Sequence, residues 1–379
     1  MRKALALASC LSLSSLLSAA CGDATPPPEA PVNAAAVAKA SPTPAMTATS
    51  TPLPAASPAA AEYQQALALA KSGKLKESTS HFDRALELDP HMLLAAFDGA
   101  GAYEETGDKD AALEHHKKAI AIEPRFAEAH LELGTLLLLH KHDSAASVPE
   151  FRAAILEREP YVDPRFPYAR TRGTALRNAA VAYAEMGQPG VGAGIARATI
   201  ATVGPEAALS TLASQADEDV AKASVRSPAT QADFVRANDL LHKKKDGKGA
   251  LAIYDKLAKK KGLSALDQWD LHEGRALALV AQNDFAKARD AFEAAAKASR
   301  GLTWRQYVES VFNVACAESE VGHLPAALTA VEEVLWIEKI AGADPTVKAA
   351  SFTSKLPTDS SLFKVRATPE FAALVARYR

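Results

Sequence analysis

A chain of 379 residues in which 43 Lys and Arg nearly balance 45 Asp and Glu, leaving a formal charge of −2, lacks the basic excess of a nucleic-acid binder. Aromatic residues make up only 6% of it, which disfavours extensive sheet, and abundant Ala and Leu favour helix. The length suits two domains or one elongated array.

The first element in chain order is a leader over residues 1–20. Arg2 and Lys3 give it a positive start, and Ala4 to Ala20 carry no charge. That run is too short and too rich in Ser for a transmembrane helix, so it reads as a signal peptide. Two cysteines compete as its end. Leu7-Ala8-Ser9-Cys10 resembles bacterial lipoprotein signals but leaves almost no apolar run ahead of it. Ser18-Ala19-Ala20-Cys21 has the run and the small residues, with Ser18 where that pattern has Leu. Cys21 is therefore the expected lipid-attachment site, an ordinary secretory leader being the alternative. Once the leader is removed only Cys21 and Cys316 remain, and an acylated Cys21 leaves Cys316 without an intramolecular partner.

Residues 21–60 are the anchor cysteine and an expected disordered linker. From Gly22 to Ala60 the chain is rich in Ala, Pro, Thr and Ser, with three charges and no aromatic residue. It has nothing to bury that would offset the entropy of ordering. As a flexible coil it spans about 35 Å, the length of a stalk.

From Ala61 the chain repeats itself. Pro90 and Pro124 lie 34 residues apart, and small residues keep the same offsets before each: Ser78 and Ala112, then Ala85 and Ala119. In the second unit Ala100 and Tyr103 fall on a first helix, Gly107-Asp108 turn the chain, and Ala112 and Ala119 fall on a second. Small residues let two helices approach and an aromatic fills the gap between them. Two amphipathic helices at this period resemble the tetratricopeptide repeat.

Later units follow the same grammar with defects. The third runs through Leu133, Gly134 and Ala146, with Pro160 two residues late. The fourth has Ala180, Tyr183 and Gly187, and its second helix, around Gly190 to Gly194, is expected to be less rigid. Glu206 to Ala223 reads as an extra helix before "SVRSPAT" breaks the array. Three more units carry Ala250 with Tyr254, Ala288 with Phe292, and Ala327. The expected fold is all-α, a tetratricopeptide-type solenoid of about seven hairpin units in two groups. The first group covers 61–205, a spacer 206–228, the second group 229–340 and a C-terminal cap 341–379. In the cap, "DSSLFKVRATPEF" resembles a motif that closes some arrays of this kind, with Ser361 and Val365 departing from it. Such a segment covers the exposed apolar face of the last unit.

Chemistry is scarce. His115-His116 and His140-Lys141-His142-Asp143 are the only histidine clusters, and Cys316 is remote from them, so no metal site is expected. Nucleophile-elbow and Walker-type motifs are absent, and the Gly190–Gly194 run follows a helix rather than a strand. Glu104 and Glu105 diverge on a helix and do not aim at one point. No catalytic residue, cofactor or enzymatic activity is expected.

The resemblance implies a groove lined by stacked first helices that holds a peptide or helix of another protein. Its spacing points to Phe97, Gly101 and Glu104, then Leu131 and Thr135. Asn178 and Asn313 match an Asn that in this family bonds a ligand backbone, with bonding inside its own repeat as the alternative. A basic patch, Lys243, Lys244, Lys245 and Lys248 with Lys256–Lys261 nearby, is either a solvated face or a seat for an acidic segment or lipid headgroups. The expected function is a scaffold or adaptor, lipid-anchored in the bacterial cell envelope and facing the periplasm or cell surface. Its partners are envelope proteins or peptides and the membrane, with no nucleic acid. A self-assembling homo-oligomer is the alternative, ahead of an envelope enzyme or metal-binding protein.

Overall fold

The computed structural model describes residues 57–156, 161, 163–347 and 351–378. The leader, Cys21 and most of the linker lie outside them. Among the described residues there are 17 α-helices and no strand. In chain order they pair as α1 (Pro58–Lys71) with α2 (Leu75–Leu88), α3 (Leu93–Thr106) with α4 (Lys109–Ile122), and α5 (Ala127–Leu139) with α6 (Ser144–Leu156). The fourth pair is α7 (Tyr168–Glu185) with α8 (Pro189–Val203), and α9 (Ala207–Ala223) follows singly. The second group pairs α10 (Pro228–Asn238) with α11 (Gly247–Leu257), α12 (Ala265–Val280) with α13 (Phe285–Ser299), and α14 (Trp304–Val321) with α15 (Leu324–Ala341). Two short helices, α16 (Phe363–Arg366) and α17 (Pro369–Tyr378), end the chain. This is an all-α, tetratricopeptide-type hairpin solenoid in seven units.

The repeat signature has a direct physical counterpart. Ala66, Ala85, Ala100, Ala119, Ala180, Ala250, Ala288 and Ala327 are completely buried between helices. Phe82, Tyr183, Tyr254 and Phe292 fill the spaces beside them. The intervening turns share a cap. Asp108, Asp143, Asp246 and Asp284 each accept from the backbone N–H three residues on, at 2.9–3.3 Å, satisfying a donor that a helix start leaves free. Gly107 and Gly322 end their first helices in the left-handed conformation, at φ 87° and 88°.

Within each group consecutive helices pack on one another, but the two groups do not form a single row. After α9, which packs on α8 and α7, the chain doubles back, and α14 and α15 of the last unit also pack against α8. One hydrophobic core therefore joins units three, four, six and seven with the C-terminal segment. The glycines of α8 explain this junction and correct the expectation of a loosened helix. A Cβ on Gly190 would collide with the carbonyl of Leu302, and one on Gly194 with the ring of Trp304. They are sites of close approach rather than of slack.

The C-terminal segment lies on α14 and α15 through buried Phe352, Leu356, Leu362, Val365 and Phe371. The Glu338 carboxylate on α15 fixes its start, accepting from the backbone N–H groups of Phe352 and Thr353 at 2.8 Å each and from Arg305 at 3.2 Å.

Candidate functional site

Polar side chains join the first helices in two pairs, α1 with α3 and α5 with α7, while Phe97 of α3 packs on Phe126 just before α5. The Tyr63 hydroxyl donates to Asp98 at 2.6 Å, Thr171 to Glu128 at 3.0 Å, and the Asn178 amide to the Thr135 hydroxyl at 3.0 Å. Thr135 itself donates to the Leu131 carbonyl at 2.8 Å.

The residues expected to line the groove separate into two sets. Gly101 is exposed, and a Cβ placed on it would meet nothing within 4 Å. Glu104 is half-buried, with an oxygen 3.0 Å from Nε2 of His116. Thr135 and Asn178 are half-buried and bonded to each other. Phe97, by contrast, is only 7% exposed, enclosed by the rings of Phe126 at 4.7 Å and of Phe166 and His116 at 5.6 Å each. Leu131 is a core residue. Asn313 is 2% exposed and donates to Glu273 Oε2 at 3.1 Å. Both asparagines thus bond to the first helix of the preceding unit, neither within their own repeat nor, for Asn313, out to solvent.

What covers Phe97 is the chain itself. Residues 161 and 163–167, just before α7, return to the face of the second unit. Tyr161 donates its backbone N–H to the Arg125 carbonyl at 3.1 Å, and Phe166 packs edge-on against Phe97. Arg165 bridges Asp163 at 2.6 Å and Asp98 at 2.7 Å. Around these residues the face is acidic: Glu128 and Glu132 belong to it as well, and burial pushes the Asp98, Glu128 and Glu132 carboxyls above the ordinary range. Of these carboxylates the repeat spacing points only to Glu104. The Glu128–Glu132 pair, one helical turn apart, was the available signal.

In the second group a polar network takes the equivalent place. Trp269 donates its indole N–H to Ser310 at 2.7 Å, and Ser310 donates to Glu273 Oε1 at 3.0 Å, beside the Asn313 bond. Burial, with the Glu309 charge, pushes Glu273 up to about 8 against the pull of its two hydrogen bonds.

The basic patch lies at the end of α10, where a π-helical turn, Asp239–Lys243, leads into α11. Lys243 pairs with Asp239 at 2.8 Å. Lys244, Lys245 and Lys248 are exposed and form no salt bridge among the described residues. Cys316 is fully buried on α14. Among the described residues no group of His, Cys, Asp or Glu is placed to hold a metal ion, and no helix is long and apolar enough to cross a membrane.

No protein-family model matches the chain. A segment of 84 residues is 33% identical to the Protein CTR9 homolog of Arabidopsis thaliana, covering 22% of this chain and only 8% of that protein. The fold is similar to that of PilW, a widely conserved type IV pilus biogenesis factor, at 16% identity and a TM-score of 0.29 over 84% of this chain and 98% of that one. It is similar also to Pseudomonas aeruginosa pilF at 14% identity and a TM-score of 0.27, over 84% and 96% of the two chains. A tetratricopeptide repeat protein from Parabacteroides merdae ATCC 43184 is 18% identical, with a TM-score of 0.29 over 69% and 86%. Likeness of this size carries no argument about partners.

Proposed function

We propose that this chain is a non-enzymatic protein-interaction scaffold whose first-helix face, at units two to four, holds a segment of a partner protein. The observation that carries the reading is the state of that face. Bonds tie unit one to unit two (Tyr63–Asp98) and unit three to unit four (Glu128–Thr171 and Thr135–Asn178), and Gly101 on α3 leaves open space beside it. A pre-organised surface with a gap binds a segment at low entropic cost. Glu104, Thr135 and Asn178 are its half-buried polar groups, while Phe97 and Leu131 support it from beneath.

Cys21 supplies the other half of the proposal. A lipid on this residue tethers the scaffold to a membrane of the bacterial cell envelope, and the Pro-rich linker gives the folded part reach. Lys243, Lys244, Lys245 and Lys248 add a second, electrostatic surface for an acidic segment or lipid headgroups.

The test is a photo-crosslinking amino acid at Gly101 in the full chain, in the native cell, with one at exposed Lys222 on α9 as control. Partner proteins captured from Gly101 and not from Lys222 support the scaffold reading. Equal capture, or none from Gly101, rejects it.

A further inference from the structure

Between α13 and α14 lies a cleft of about 410 Å³, away from the first-helix face of units two to four. The two helices are consecutive, pack on each other and are joined by residues 300–303. The floor is apolar. Tyr307 and Val311 are each 8% exposed, with half-buried Ala296 and Val314 beside them. Gln188 and Glu333 engage the Tyr307 hydroxyl, so it is the ring that adds to this floor. The rim is charged. Glu293, Lys297 and Arg300 stand exposed along the α13 side, spread over two helical turns, about 10 Å.

The positive part of that rim is not neutralised within the chain. Every other cation of the two helices has a carboxylate: Lys287 pairs with Asp284 at 2.8 Å, Arg305 with Glu338 at 3.2 Å, and Arg289 with Asp290. Lys297 and Arg300 form no ion pair among the described residues. Glu293, one turn before Lys297, does not pair with it; the charges that act on Glu293 are Arg289, Glu318 and Asp290. Arg300, by contrast, acts on Tyr307. Two unpaired cations thus stand at the end of the cleft nearest the connecting turn, beside apolar surface. A carboxylate placed there meets both, and its hydrogen bonds are charge-assisted. An aliphatic side chain next to that carboxylate covers Val311 and Val314, which removes their remaining surface from water. The exposed rim leaves the cleft open along its length, so a chain can lie across it.

We propose that the cleft between α13 and α14 is a second docking site, which seats a partner segment carrying an acidic side chain next to an aliphatic one. Charge complementarity with Lys297 and Arg300 selects the first and the apolar floor the second. The site does not depend on the first-helix face, and capture from Gly101 tests that face separately.

The experiment measures fluorescence anisotropy of a labelled hexapeptide of alternating Leu and Glu, titrated with the full chain. Two comparison peptides replace Glu by Gln, which removes the charge, or Leu by Ala, which removes the apolar bulk. The Leu–Glu peptide is expected to bind saturably and each comparison peptide about tenfold more weakly, the factor of one charge-assisted bond or of a few buried methyl groups. Joint replacement Lys297→Gln and Arg300→Gln should weaken the Leu–Glu peptide about tenfold and leave the Leu–Gln peptide unchanged. Both side chains are exposed and unpaired, so their loss leaves the fold intact. Lys244→Gln with Lys245→Gln, at the separate basic patch, should change nothing. Absence of saturable binding by the Leu–Glu peptide overturns the proposal, as does equal binding of the Glu and Gln peptides. An equal loss from the Lys244 and Lys245 replacements also overturns it, because the attraction is then to basic surface in general. Self-association of the chain that the Lys297 and Arg300 replacements abolish makes a second copy the occupant, and overturns it too.

Discussion

The indole nitrogen of Trp336 donates to the hydroxyl of Tyr183 over 2.9 Å, and both side chains are fully buried. Tyr183 is the aromatic of the fourth unit and Trp336 belongs to the seventh, so the bond crosses between the two groups. The same hydroxyl donates to Glu333 at 3.3 Å, and Glu333 is bound by Arg152 of the third unit at 3.0 Å. Arg152 also lies 5.1 Å from the Trp336 ring centre. Apolar packing brings the groups together without direction, whereas a buried polar network leaves one satisfied arrangement. The network thus fixes how the second group sits on the first.

Tyr183→Phe tests this. The substitution keeps the ring and leaves the Trp336 donor buried without a partner, a loss of about 1–3 kcal/mol. Denaturant unfolding of the full chain should show a lower midpoint. An unchanged midpoint means that the junction is held by apolar packing alone.

Gly190→Ala tests the same junction from the backbone side. The added methyl would overlap the Leu302 carbonyl, where no flexible side chain can yield. Overpacking of this kind costs about 1–3 kcal/mol. Hydrogen exchange should quicken in α8 and α14 and not in α1–α4, which do not touch the junction. Uniform or unaltered exchange contradicts the close packing.

The hairpin units were legible because their signal is local and periodic: Ala85 and Ala119, or Phe82 and Phe292, sit at fixed offsets and do the same packing in each unit. The return of the second group onto α8 was not. It depends on Gly190 meeting Leu302 and Tyr183 meeting Trp336, pairs more than a hundred residues apart that no period relates. The candidate face was read in part for the same reason. Spacing put Gly101 and Glu104 on an accessible side of α3, where the structure has them exposed and half-buried, but the covering of Phe97 by Phe166 comes from an irregular stretch before α7. Asn178 and Asn313 carried a family signal, yet their partners, Thr135 and Glu273, lie on other units and are set by how the units stack.

Cys21→Ser tests the tether. The variant should lose incorporation of a labelled fatty acid and leave the membrane fraction. The folded array should keep its helical circular dichroism, because Cys21 precedes it by the length of the linker. Extraction that still requires detergent rejects the lipid anchor.

Glu273 makes stability depend on pH in a direction opposite to that of an ordinary surface carboxylate. Burial, reinforced by Glu309, pushes its carboxyl up to about 8, while the unfolded chain releases that proton at about 4.3. Below the lower value both states are protonated and the neutral, doubly bonded carboxyl contributes its full stability. As pH rises towards 8 the unfolded state gains by ionising and the folded state does not, so stability is progressively lost. Asp98, Asp270 and Glu128 are raised by burial and act in the same sense, whereas burial lowers His115, His242 and His272, which lose stability as pH falls. The difference between the parent and Glu273→Gln therefore isolates the one group. Gln keeps an acceptor beside Ser310 and Asn313 and has no proton to lose. The two proteins should be similarly stable at pH 5, and the variant should become the more stable by pH 8. Unfolding curves at the two pH values that stay parallel would show that Glu273 is already ionised in the folded protein.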